Sequence, residues 1–350
     1  MKVRISNETK EFRTVWMENN IVKMIDQTKL PYKFEIFTSN DYIETAKAIK
    51  NMIVRGAPAI GVTAAFGIVQ AILETDENNF DEYVKKAVKV IKETRPTAYN
   101  LFLGIDRVLK VIENVSSIQE KKIIAIKEAK KIADEDIEIC KKIGEFGEKL
   151  IKDGYKILTH CNAGALATVD YGTALSPIRF AHYNGKKIFV FVDETRPRCQ
   201  GSKLTSWELL QEGIDYVIIA DNAAGYYMQK GEIDMCIVGA DRVTLDGSVA
   251  NKIGTYEKAV LAKENKIPFY VALPTSTIDV NMKSGKDIPI EERNEEEVTH
   301  IIAGNNKIKI SPEGSHAKNP AFDVTLAKYI TAFITERGII KPFDVKKLFK

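Results

Sequence analysis

The sequence predicts an α/β protein: small antiparallel N-terminal strands and a helical domain, followed by a doubly wound parallel sheet. Three observations carry this. The first 35 residues hold short alternating stretches, Val15-Trp16 and Ile21-Val22-Lys23-Met24-Ile25, closed by a turn at Leu30-Pro31. From Ser39 to about Leu150 the apolar residues recur at helical spacing. After Gly154, short β-rich runs alternate with helical patterns, as in a parallel sheet with crossover helices. A chain of 350 residues accommodates two domains, and the change of pattern places them at 1–125 and 126–350, the second including the connecting helix.

The elements follow in order. Asp41 to Met52 is amphipathic. Ala57 to Leu73 is apolar and rich in Ala and Gly, which suits a closely packed buried helix. Asn79 to Glu93 and Ala98 to Val115 come next. Ile118 to Ile151 reads as the connecting helix, with an apolar stripe at Ile123, Ile126, Ala129, Ile132 and Ala133. The expected strands are Lys156–Leu158, Lys187–Val192, Tyr216–Ile219, Met235–Val238 and Phe269–Leu273. Ligands of such sheets bind at the carboxyl ends of the strands. Cys161, Asp193, Asp221 and Asp241 all fall there.

Composition excludes several classes. With 51 basic and 48 acidic side chains, the net charge is +3, so no nucleic-acid partner is expected and any anion site must be local. Cys140, Cys161, Cys199 and Cys236 are irregularly spaced, which predicts no disulfide framework. The four histidines lack metal-ligand spacing, so no metal is expected. No G-x-G-x-x-G follows the first strand of the sheet and no Walker A motif occurs, so no cofactor is expected. Met1 to Phe12 is polar and charged, unlike a signal peptide, and no apolar run reads as a membrane span. The expectation is a cytoplasmic protein with no membrane partner.

Five stretches carry candidate chemistry. In Val54–Gly67, Arg55 precedes Gly56-Ala57-Pro58 and a helix start; free N–H groups beside an arginine suit phosphate, and tight packing of small residues explains the run as well. Arg95 precedes Pro96 at a helix junction, fixed there or simply on the surface. Cys161 follows a strand and precedes small residues; a helix N-terminus there would favour thiolate, while an inert core thiol is the plainer reading. Asp193, Glu194, Arg196, Arg198 and Gln200 crowd one strand end. Asp241 follows an apolar strand, where desolvation would keep a carboxyl protonated for general acid work, and Asn251-Lys252 is suited to phosphate and hydroxyl groups.

Seven motifs in register carry a resemblance: "MIDQTKLP", "RGAPAIGV", "THCNAGALAT", "DETRPRCQG", "IVGADRVTLDGSVANKIGT", "PTSTID" and "IPIEERN". Together they resemble the methylthioribose-1-phosphate isomerases, a family within the translation-initiation-factor-two-B-like superfamily, over nearly the whole chain. The resemblance implies a Rossmann-like C-terminal domain, a homodimer and an aldose-ketose isomerase of methionine salvage acting on a sugar phosphate. It places the catalytic cysteine on Cys161 and the catalytic acid on Asp241. It places substrate binding on Arg55, Gly56, Ala57, Arg95, Gln200, Asn251 and Lys252. Related readings are an isomerase of 5-deoxyribose 1-phosphate or ribose 1,5-bisphosphate, or a non-catalytic initiation-factor-like subunit. Gly225-Tyr226-Tyr227 departs from the family's smaller residues, and the aromatic pair is expected to alter the pocket.

Overall fold

The computed structural model describes residues 1–5, 8–304 and 306–349. Strands β1 (Lys2–Ile5) and β2 (Glu8–Glu11) form an antiparallel hairpin. β3 (Val15–Glu18), β4 (Ile21–Ile25) and β5 (Ile36–Ser39) form a three-stranded antiparallel sheet. Helix α1 (Tyr42–Lys50) starts at Asp41, whose carboxylate accepts from Glu44 N at 2.7 Å. α2 (Ala57–Glu74), α3 (Phe80–Lys92), α4 (Tyr99–Ile112) and α5 (Ile118–Gly147) complete the helical part.

Small residues on α2 and α4 allow their backbones to touch. A Cβ on Gly104 would meet Gly61 O at 2.2 Å, and one on Gly61 would meet Asn100 O at 2.7 Å. α2 corrects one expectation: its 18 residues have a mean hydropathy of 1.5, long and apolar enough to cross a membrane. In this fold 83% of that stretch is buried inside the protein, as suits a core helix.

The second half holds β6 (Lys156–Thr159), α6 (Leu175–Tyr183), β7 (Phe189–Asp193), α7 (Ser206–Glu212), β8 (Asp215–Ile219), α8 (Ala224–Gln229) and β9 (Met235–Val238). It continues with β10 (Arg242–Val243), β11 (Val249–Lys252), α9 (Thr255–Glu264) and β12 (Phe269–Ala272). After these come α10 (Glu296–Thr299), β13 (His300–Ala303), β14 (Asn306–Lys309), β15 (Phe322–Thr325), β16 (Ala332–Thr335) and β17 (Gly338–Ile340). The main sheet runs β17-β16-β12-β9-β6-β7-β8, parallel except for β17. From β6 the chain winds outward through β7 and β8, then returns to β9 and winds the other way. The switch point lies between β6 and β9, and a ligand of such a sheet sits there. A smaller sheet, β10-β11-β15, begins a few residues after the carboxyl end of β9.

The apolar cores divide along α5. Ala125, Ala129, Ile132 and Ala133 join the core around α2, whereas Ile143 joins the layer beneath the main sheet. Ile123, expected in the buried stripe, is 67% exposed.

Candidate active site

Cys161 follows β6 and Asp241 follows β9, so the two strands flanking the switch point deliver them to one place. A cavity of about 70 Å³ lies there, walled by Arg55, Gly56, Ala57, Arg95, Cys161, Gln200, Asp241, Asn251 and Lys252. All nine residues singled out in the sequence therefore meet.

Cys161 is held in the left-handed region, φ 64°, which costs a non-glycine residue of order 1 kcal/mol or more. Two threonines pin its peptide: Cys161 N donates to Thr195 Oγ1 at 2.8 Å, and Thr205 Oγ1 donates to Cys161 O at 2.6 Å. The thiol faces Gln200 Oε1 at 3.5 Å. The helix expected directly after it is absent. A 3₁₀ turn, Ala165–Ala167, follows, and α6 starts only at Leu175. Burial pushes the thiol above its ordinary pKa, against the pull of Lys252 and Arg55. The expectation of a helix-stabilised thiolate is thus corrected: no helix starts there, and burial biases the group toward the neutral thiol.

Asp241 shows the competition of terms in the opposite charge class. Burial raises its pKa; Lys252, Arg95 and Arg55 oppose this, and burial wins. Its backbone N–H donates to Ala250 O at 2.9 Å, tying the acid to the small sheet.

The cations line the same space. Arg55 is 6% exposed. Its Nη1 donates to Asn162 O at 2.8 Å and its Nη2 to Asn162 Oδ1, which leaves Nε without a partner among the described residues. Arg95 Nε is likewise buried and without a partner among the described residues, while its Nη2 stands 3.5 Å from Glu291 Oε2. Gly56, φ 102°, opens α2; a Cβ there would lie 2.4 Å from Ala167 Cα, so only glycine fits. Lys252 Nζ donates to Ala321 O at 2.9 Å, and Asn251 Nδ2 to Thr255 Oγ1 at 2.9 Å.

Of the crowded loop after β7, only Gln200 reaches the inner cavity. Arg196 donates to Val298 O at 2.7 Å and Arg198 pairs with Glu297 at 2.8 Å, so both fasten the loop to α10. Sequence reasoning missed Arg293, which lines the cavity and pairs with Glu297 at 2.8 Å. It lies in "IPIEERN", where nothing local marks the arginine as a cavity residue. Tyr226 and Tyr227 lie away from the lining: Tyr227 packs on Phe191 with ring centroids 5.1 Å apart, and Tyr226 is 53% exposed. That corrects the expectation that they alter the pocket. Outside lies a second chamber of about 500 Å³, sharing Met52, Arg55 and Gln200 with the first.

His160, Asp193 and Asp221 bring potential metal-ligand atoms within 4.8 Å of one another. Both ring nitrogens of His160 are hydrogen-bonded, both oxygens of Asp221 accept backbone N–H groups, and Lys258 Nζ stands 3.8 Å from Asp193 Oδ2. An ammonium in that position fits a proton network and opposes a metal cation.

Residues 53–342 match the initiation factor 2 subunit family. A methylthioribose-1-phosphate isomerase of Acetivibrio thermocellus is 55% identical over 93% of this chain and 95% of its own. The chain belongs to the methylthioribose-1-phosphate isomerase family. Within it, the crystal structure of 5-methylthioribose 1-phosphate isomerase from Pyrococcus horikoshii is 46% identical, with a TM-score of 0.89, covering 97% of this chain and 96% of that one. A structure described as translation initiation factor eIF-2B subunit delta from A. fulgidus is also 46% identical, with a TM-score of 0.84 and coverage of 95% and 97%. Names alone therefore point two ways, and the chemistry of the cavity must decide between an isomerase and a translation-factor subunit.

Proposed function

We propose that this chain is an aldose-ketose isomerase converting 5-methylthioribose 1-phosphate to 5-methylthioribulose 1-phosphate, in methionine salvage. One observation carries the reading. Two buried guanidinium Nε atoms without partners among the described residues, on Arg55 and Arg95, line the same cavity as a thiol and a carboxyl that burial biases toward their neutral forms. Buried donors of that kind call for an anion. A structural subunit has no need of such a cluster.

The roles follow from the positions. The C1 phosphate is held by Arg55, Arg95 and the N-terminus of α2 at Gly56-Ala57. It locks the sugar as a ring, so opening requires a proton at the ring oxygen, which Asp241 gives. With the C1–ring-oxygen bond broken, hydrogen moves from C2 to C1 beside Cys161, and the C2 hydroxyl becomes the ketone by returning its proton to the Asp241 carboxylate. Gln200, Asn251 and Lys252 hold the sugar oxygens, where charge develops during the transfer. The C5 end extends toward the outer chamber, which offers Leu30, Met52 and Leu204. Three of that chamber's basic groups are already engaged: Lys33 with Glu35, Arg198 with Glu297, and Lys203 with Ile302 O. An uncharged C5 substituent suits it better than a second phosphate.

The reading extends to a cytoplasmic homodimer. Val217 and Ile218 are 37% and 44% exposed on opposite faces of β8, the open edge of the sheet, as suits an edge covered by a second copy. Light scattering of the purified protein tests the dimer. For the activity, the purified chain is incubated alone with 5-methylthioribose 1-phosphate, 5-deoxyribose 1-phosphate or ribose 1,5-bisphosphate, and ketose formation is followed by NMR. The methylthio sugar should give the highest kcat/KM. No turnover of any of the three would favour the subunit reading.

A further inference from the structure

His160 immediately precedes Cys161, is 1% exposed, and has no role in the chemistry above. Its Nε2 lies 2.8 Å from Ile253 O. A carbonyl oxygen only accepts, so Nε2 must carry a proton. Its Nδ1 lies 2.9 Å from Asp193 Oδ2, and Asp193 is fully buried. Lys258 Nζ, 1% exposed and without a hydrogen-bond partner among the described residues, stands 3.8 Å from the same oxygen. Burial raises the pKa of the Asp193 carboxyl, helped by Asp221, which faces it from the β8–α8 connection, and opposed by His160 and Lys258. The Nδ1–Oδ2 bond holds the ring on one side and the Nε2–O bond holds it on the other. Asp323 on β15 is the remaining acid near the ring, and Glu257 on α9 stands 3.6 Å from Lys258.

The ring also sits where two parts of the cavity wall meet. Ile253 follows Asn251-Lys252, and the turn is built around the imidazole: a Cβ on Gly254, φ 99°, would lie 3.0 Å from its Nε2. On the other side, Thr195 Oγ1 donates to Asp193 O at 2.9 Å and accepts from Cys161 N. Asp193 thus holds His160 through its side chain and Cys161 through its backbone.

We propose that His160 is a positioning residue, held by Asp193 at Nδ1, whose Nε2–H bond to Ile253 O clamps the Lys252 turn to the Cys161 strand end. The kinetic consequence rests on the isomerase reading; the Nε2–H bond does not.

Two variants separate the bonds. His160→Gln places an amide N–H within reach of Ile253 O, whereas His160→Asn reaches only as far as Asp193. The clamp predicts that Gln retains at least tenfold more kcat than Asn. It also predicts that the Kd for inorganic phosphate, measured by calorimetry, stays within threefold of wild type in both. Equal kcat in the two, or a better Asn variant, overturns the clamp. In ¹⁵N NMR of the wild-type protein, Nε2 of His160 should be protonated, with its proton protected from exchange with solvent. An unprotonated Nε2 overturns the clamp. If the wild type turns over none of the sugar phosphates, the isomerase reading fails, and the NMR result still decides the Nε2–H bond.

Discussion

Arg55 and Asn162 grip each other at two points, guanidinium Nη1 to the backbone carbonyl and Nη2 to the side-chain oxygen. Asn162 is itself turned by Glu208, which accepts from its Nδ2 at 2.9 Å, and Glu208 is held by Arg179 at 2.6 Å. The arginine therefore has no freedom to search for an anion; it waits in one orientation. Replacing Arg55 or Arg95 with Ala should weaken binding of inorganic phosphate and of substrate together, by ~2–5 kcal/mol. Competitive inhibition by phosphate measures this, and unchanged inhibition in both variants removes the role.

Cys161→Ser should abolish turnover while leaving the thermal melt near wild type, because a hydroxyl fits the same space. Cys199→Ser should be near normal, since Cys199 is absent from the cavity lining. Because burial pushes the Cys161 thiol above its ordinary pKa, its alkylation, read by peptide mass spectrometry, should be slow at pH 7 and need a higher pH than an exposed cysteine to accelerate. Fast alkylation at neutral pH would show a thiolate instead.

Asp241→Asn keeps shape and hydrogen bonding but has no acidic proton to give. It should still bind phosphate and lose turnover by ~10²-fold or more. With Asp241 as the acid, its folded pKa lies above the ordinary carboxylate range, so kcat/KM should fall as pH rises through that raised value. A normal rate in the Asn variant would make Asp241 a positioning group only.

The inner cavity is small and buried, so hydrogen moving from C2 to C1 is shielded from solvent. Turnover in D₂O should yield a ketose whose C1 carries little solvent deuterium, as read by NMR. Full incorporation at C1 would place bulk water in contact with the reacting carbons.

Asp136, on α5, is buried and accepts from Val169 N at 2.6 Å. Burial raises its carboxyl from 3.8 to about 7. The folded protein then binds more protons than the unfolded chain between about pH 4 and pH 7, and its stability declines across that window, by up to about 1.4 kcal/mol per pH unit. Asp136→Asn removes this slope. Relative to wild type, the variant should gain stability from pH 4 to pH 8 in denaturant titrations; a constant difference would show that Asp136 titrates normally.

The parts of the site that were legible in the sequence are those whose chemistry is written locally. Gly56-Ala57-Pro58 after Arg55 is a helix start in itself, and Asp241 at the end of an apolar strand needs no distant partner to be noticed. Arg293 was not legible because its place depends on the loop before α10 returning to the mouth of α2, where its Nη2 comes 3.6 Å from Met52 Sδ. The missing helix after Cys161 has a similar cause. Ala and Gly there suit a helix locally, but Glu208, far along the chain, takes the Ala165 and Leu166 N–H groups at 2.8 and 3.1 Å and holds a short turn. β16 and the β10-β11-β15 sheet also escaped, being runs of two to four residues whose identity comes from their neighbours.

Helix α5 leaves the molecule without a natural seam. Its 30 residues make a strut roughly 45 Å long, whose first turns are glued into one apolar interior and whose last turns are glued into another. Separating the two would mean snapping a continuous helix rather than stretching a linker. Heat should melt the molecule in one cooperative step. A protease should find no preferred nick near its middle, and neither fragment cut within α5 should remain soluble on its own, because each would carry an uncovered apolar stripe.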